Sequence, residues 1–325
     1  MPDRVRLVLV SDLHGSKAAY GKLANLPKVY KCDVVVLAGD LTGKVLVPII
    51  RVGSQYVTNL FGEKKVITEG ELNSVIRAIR DSGYYAQVMS KEEYDELSNN
   101  PTKLKHLLID IMVREFSSDI SKIRDNYRQL GVKLLLIPGN DDFNDFANAV
   151  RGIKDDTVMY FDEEVVELGG LIYAGFGYSN PTPWHTEREL MEDEIKKRLI
   201  NILGRLSRSE LDRTVAVIHV PPYNTLIDQA PKLTSDLKPV VQGGIVVMEH
   251  VGSAAVREVI EDFGPLISLH GHVHESPGID YLNAKCCRRK VPVVNAGSEY
   301  QSGVLRLAYL IIENGKLKDK LLLRG

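Results

Sequence analysis

Val5-Arg-Leu-Val-Leu-Val-Ser-Asp-Leu-His-Gly15 is an apolar, β-branched run that stops on a carboxylate and an imidazole. Its composition is that of a buried strand. Asp12 and His14 lie two apart, so in an extended stretch they face the same way and could grip one cation. Outward from this segment, a short helical stretch covers residues 17–26. Asp33-Val-Val-Val-Leu-Ala38 then reads as a second buried strand, ending in Gly39-Asp40. Strand, crossover and strand make a βαβ unit, and in such sheets ligands collect beyond the carboxyl ends of the strands.

The same grammar recurs down the chain. Lys133-Leu-Leu-Leu-Ile137 ends in Pro138-Gly-Asn-Asp-Asp142, and Thr214-Val-Ala-Val-Ile218 ends in His219. Residues 265–269 lead into His270-Gly-His-Val-His274, and Val291-Pro-Val-Val-Asn295 leads into Ala-Gly-Ser298. Residues 171–175 form one more strand, and a C-terminal hairpin is expected to turn at Asn314-Gly315. Of the 8 histidines, four (His14, His219, His272 and His274) fall at apolar strand ends. One such histidine would be unremarked in a turn; an ordered set with Asp12, Asp40 and Asn140 points to metal binding. Seven donors exceed what one transition-metal ion takes, and mixed nitrogen and oxygen donors suit manganese, zinc, iron, nickel or cobalt. Two ions sharing a carboxylate would use them all, and such pairs clamp both oxygens of a phosphoryl displacement.

Composition bounds the alternatives. The 325 residues carry 41 Lys and Arg against 43 Asp and Glu, a formal charge of -2 that disfavours non-specific nucleic-acid binding. No apolar run reaches the ~18 residues of a membrane helix. The start of the chain lacks the long apolar segment of a signal peptide. Three cysteines, two of them adjacent (Cys286 and Cys287), are no disulfide framework. A cytoplasmic protein is expected, acting on a small phosphate ester, such as a nucleotide, in preference to a nucleic acid. A homo-oligomer stays open.

Residues 43–100 break the rhythm. Short strands are expected at 44–50 and 56–61. Capping boxes at Thr68–Glu71, Ser90–Glu93 and Thr186–Glu189 each announce a helix. A long amphipathic pattern from Leu104 to Leu130 stops at Gly131. Length alone would suggest two domains. Ligands from residue 12 to residue 274 must meet at one place, however, so residues 1–325 are expected to form a single domain interrupted by an insertion at about 43–100. That insertion leaves the core directly after Asp40, which favours a lid or substrate-selecting cap.

The motifs Asp12-Leu-His14, Gly39-Asp40, Gly139-Asn-Asp-Asp142, His219 and Gly271-His-Val-His274 resemble the calcineurin-like metallophosphoesterase superfamily, from the first strand to about residue 312 without the insertion. The resemblance implies a four-layer α/β/β/α sandwich, here with an α+β insertion. It implies one metal held by Asp12, His14, Asp40 and His274, and a second by Asp40, Asn140, His219 and His272, with a metal-bridging hydroxide attacking phosphorus. Residues 251–276 and 297–300 are similar to a prokaryotic subgroup with poorly defined substrates. One position departs from the pattern: Asp141 stands where the family usually has a histidine that serves the leaving group. A carboxylate at its reference pKa is ionised at pH 7 and repels a dianionic monoester more than a monoanionic diester. Asp40, Asn140 and Asp141 are therefore the expected catalytic positions, and a phosphodiesterase is favoured over a phosphomonoesterase or a non-catalytic scaffold. The only tryptophan, Trp184, is expected to pack its loop or to wall the substrate pocket; His270 is expected to be structural.

Overall fold

A computed structural model describes residues 4–60 and 62–325, so the expected strand end at Phe61 lies outside the described residues. Two six-stranded sheets form the centre of the fold. The first runs Lys316–Arg324, Arg306–Glu313, Arg4–Val10, Val34–Ala38, Lys133–Ile137, Val158–Tyr160. Its last four strands are parallel, and the C-terminal hairpin adds antiparallel to Arg4–Val10. The second runs Gly278–Asn283, Lys290–Asn295, Ile267–His270, Thr214–Ile218, Leu171–Phe176, Val165–Leu168. Its inner four strands are parallel and both edges antiparallel.

The uninterrupted apolar runs make sense because the inner strands are covered on both faces. Leu7, Leu9, Val36 and Leu135 of the first sheet meet Tyr173, Val215, Val217 and Leu269 of the second. Their neighbours Val8, Val35, Leu37 and Leu134 point the other way, onto Leu23, Phe116, Ile120 and Tyr127 of helices Lys17–Tyr30 and Pro101–Leu130. Ala216, Ile218 and Val293 on the outer face of the second sheet pack on Ile195, Leu199, Val256 and Val259 of helices Glu192–Leu203 and Ala254–Phe263. Helix, sheet, sheet, helix is the expected four-layer α/β/β/α sandwich. No helix among the described residues is long and apolar enough to cross a membrane.

Residues 46–89 build a third sheet in the order Glu63–Thr68, Gln55–Leu60, Leu46–Val52, Tyr85–Met89. Helix Glu69–Asp81 covers it, and Val47, Ile49, Tyr56, Ile67 and Ile79 make a small core of its own. Ser16 Oγ donates to the Asp81 carbonyl at 2.6 Å, which ties the end of that helix to the loop carrying His14.

Two of the three capping boxes open helices as expected. In the first, the Thr68 N–H donates to Glu71. In the second, Ser90 and Glu93 bond reciprocally. The third is a correction. Thr186 N–H donates to Glu189 at 2.8 Å, yet the helix begins only at Glu192. The intervening backbone is claimed elsewhere: Ser179 N–H donates to the Arg188 carbonyl and Leu190 N–H to the Ser179 carbonyl. Tertiary pairing outcompetes a local helix start. The predicted Asn314-Gly315 turn forms, with φ of 49° and 68° joining Arg306–Glu313 to Lys316–Arg324.

Candidate metal centre

Each candidate donor stands on a loop just past a parallel strand. Four of them, Asp12, His14, Asp40 and His272, have left-handed φ of 56°, 43°, 50° and 68°. For a residue with a Cβ this costs about 1–2 kcal/mol, so neighbouring hydrogen bonds must impose it. They do. Asp12 N–H donates to the Gly39 carbonyl at 3.0 Å and His14 N–H to the Asp40 carbonyl at 2.9 Å. Gly271 N–H donates to the His219 carbonyl at 2.9 Å. The strand-end loops hold one another, which aims the side chains into the cleft between the sheets.

The side chains converge in two groups. In one, donor atoms of Asp12, His14, Asp40 and His274 all lie within 4.8 Å of one another. His14 Nε2 is 3.1 Å from His274 Nε2 and 3.6 Å from Asp40 Oδ2, and His274 Nε2 is 3.6 Å from Asp12 Oδ1. In the other, His219 Nε2 lies 3.0 Å from Asn140 Oδ1 and 3.4 Å from Asp40 Oδ1, while His272 Nδ1 lies 2.8 Å from Asn140 Oδ1. Asp40 belongs to both groups, one oxygen to each. All seven sequence-predicted donors are thus brought together.

The buried charges interact strongly. Burial works against ionisation of Asp12 and Asp40. The His274 hydrogen bond to Asp12 and the His219 charge beside Asp40 outweigh it and hold both carboxyls below the usual range. Burial likewise opposes charge on His14 and His219, yet Asp141 beside His14 and Asp40 beside His219 raise both imidazoles to about 9. Burial and the His219 charge push His272 down to about 4. Clustered carboxylates that demand positive charge, with imidazole nitrogens turned toward one another, suit divalent cations: a cation would replace the protons and satisfy every lone pair.

The surrounding groups fix the donors. His219 Nδ1 lies 2.8 Å from the Ala38 carbonyl, an acceptor, so Nδ1 carries the proton and Nε2 is left as donor atom. His270, predicted structural, places Nδ1 at 2.8 and 3.0 Å from the Ile218 and Val220 carbonyls on either side of His219. Buried Asp142 accepts from the N–H groups of Leu41, Thr42 and Gly139, clamping the Asp40 loop to the Asn140 loop. Arg188, ion-paired to Asp162 at 2.7 Å, donates to the Gly139 carbonyl at 3.0 Å. Asn140 Nδ2 donates to Thr186 Oγ1 at 3.0 Å, which leaves Oδ1 toward the two histidines. Asp142 stands in the Pro138–Asp142 motif, whereas Arg188 and Thr186 carry no sequence signal beyond the capping box and Asp162 carries none.

Gly139 has no room for a side chain, since a Cβ there would stand 2.1 Å from Asp40 Oδ1. Gly139→Ala is expected to displace Asp40 and weaken metal binding by roughly 10–100-fold, the scale of lost ligand support. Calorimetric titration with manganese checks this, and unaltered affinity would contradict the crowding.

Trp184 is 62% exposed, which corrects a packing role for it. A cleft of about 450 Å³ adjoins the donors at His274 and is lined by Ser298, Glu299, Tyr300 and Arg306. The Tyr300 ring lies 4.5 Å from that of His14 and 6.0 Å from that of His274, restricting both imidazoles.

No protein-family model matches the chain. A stretch of 153 residues, 46% of the chain, is 34% identical to the uncharacterized protein MJ1162 of Methanocaldococcus jannaschii, and the match spans 60% of that relative's length. One crystal structure superposes at a TM-score of 0.55 with 17% identity, covering 99% of both chains. Protein TT1561 of Thermus thermophilus superposes at 0.50 with 13% identity, covering 99% of this chain and 98% of that one. At these identities the likeness shows the fold alone.

Proposed function

We propose that the chain is a dinuclear metal-dependent phosphoesterase of the calcineurin-like metallophosphoesterase superfamily that hydrolyses phosphodiester bonds in small, nucleotide-like substrates. The observation that supports this most is the pair of donor groups sharing Asp40. Asp12, His14, Asp40 and His274 would hold one ion, and Asp40, Asn140, His219 and His272 the other. When bound, two divalent ions supply positive charge for a phosphate ester and a water acidic enough to ionise near neutral pH. The chain's own part is positioning. Asp40 sets the spacing of the two groups, Asn140 aims its carbonyl oxygen, and Asp141 borders the substrate side. Manganese is the ion we favour, and the cytoplasm the compartment.

The test combines metal analysis with turnover of bis-nitrophenyl phosphate and nitrophenyl phosphate in manganese, zinc, nickel and magnesium. Close to two ions per chain with faster diester turnover is expected. A protein that binds metal without hydrolysing either ester would instead be a non-catalytic scaffold.

A further inference from the structure

Asp141 does not stand alone. One carboxylate oxygen forms an ion pair with Lys44 Nζ, and the other lies 3.5 Å from His14 Nδ1. The Asp141 backbone N–H donates to Asp40 Oδ1 at 2.8 Å, so the pair sits one hydrogen bond from the carboxylate shared by both donor groups. The Asp141 side chain is 28% exposed and that of Lys44 29%, so both border solvent beside the buried donors. Lys44 belongs to no strand of the sandwich. It lies four residues after Asp40, where the chain departs for the inserted sheet. Its ammonium is 5.6 Å from the centre of the Phe143 ring, and Asp141 is its one ion-pair partner among the described residues. Lys105, which approaches the same ring, is already engaged with Glu187 at 2.7 Å.

We propose that Lys44 sets the charge selectivity of the centre: its ammonium cancels the Asp141 carboxylate and keeps the site open to doubly charged phosphate monoesters. This rests on the phosphoesterase reading above. Asp12, Asp40 and Asp141 set against two divalent ions leave one positive charge, which admits a diester alone; Lys44 restores the second, so that a monoester dianion is still admitted beside the favoured diester. The inserted segment thereby contributes a specificity residue from its base, apart from any motion. An uncancelled charge within several ångströms, partly screened by solvent, discriminates against one extra substrate charge by about tenfold.

The test uses the metal-loaded full chain at pH 8 with Lys44→Met, Lys44→Arg and the double variant Lys44→Met/Asp141→Asn. Lys44→Met should lower kcat/KM for nitrophenyl phosphate relative to bis-nitrophenyl phosphate by about tenfold. Lys44→Arg and the double variant should return the ratio to near the wild-type value, the double variant doing so even if Lys44→Met proves poorly folded. Inorganic phosphate binding, followed in parallel by calorimetry, should weaken by a similar factor in Lys44→Met and recover in the double variant. Wild-type turnover with an unmoved ratio overturns the Lys44 assignment and leaves the phosphoesterase standing. The phosphate pattern without turnover of any ester overturns the enzyme and keeps Lys44 as an anion-selecting residue. Loss of neither ratio nor phosphate affinity in Lys44→Met removes the proposal outright.

Discussion

Asp40→Asn is expected to cut ester turnover by roughly a thousandfold or more, the scale on which loss of a charge stabiliser in the reaction centre acts. Asp40 turns Oδ2 toward His14 and Oδ1 toward His219, so each oxygen serves a different donor group. An amide keeps one carbonyl oxygen and replaces the other by a nitrogen without a free lone pair, so the two groups can no longer share it. Asparagine is the informative choice because it tolerates the φ of 50° at this position and matches the volume. Loss of activity would then not be loss of fold. Asp33→Asn is the control. Asp33 is paired to Arg6 at the opposite end of the same strand, 2.6 Å away on the surface, and should change turnover little. Metal analysis of the Asp40 variant should show well under two ions per chain. Undiminished turnover, or two firmly held ions, would falsify the shared position of Asp40.

The donors were legible because their signal is local. An apolar run covered on both faces has a recognisable composition, and a polar residue directly after it must lie at the strand's carboxyl end. Asp12, His14, Asp40, Asn140, His219, His272 and His274 are legible in this way without any contact information. The groups that hold them are not. Arg188 braces Gly139 from 49 residues away, and Lys44 meets Asp141 from 97 residues away; nothing in either local sequence marks the partner. Thr186 shows the limit most clearly. Its backbone N–H makes the bond to Glu189 that belongs to a helix start, and its side chain donates to the same carboxylate and accepts from Asn140, while the Ser179 pairing keeps the backbone out of a helix. One local bond formed, and a tertiary pairing decided the conformation.

Protons and metal ions are alternative ways of balancing the same carboxylates, and the two should give opposite pH dependences of stability. In the metal-free chain His14 and His219 are raised to about 9 from an ordinary value of 6.5. A histidine raised in the folded state adds stability that is complete below 6.5 and is lost as pH climbs through 9. The shift corresponds to on the order of 3 kcal/mol for each imidazole. His272, lowered to about 4, adds stability above 6.5 that is lost only as pH falls toward 4, so it is silent in this window. Cys32, pushed up to about 12 by burial, enters only above its ordinary value of 9. Between pH 6.5 and 8.5 the chelator-treated protein should therefore lose thermal stability as pH rises. With manganese or zinc bound, the imidazoles must be deprotonated, so metal affinity and the stability it confers should rise over the same interval. Thermal unfolding at three pH values, with chelator and with excess metal, gives two slopes to compare. Opposite signs are expected. Parallel slopes would mean that the imidazoles do not exchange protons for metal, and the donor groups would lose their assignment.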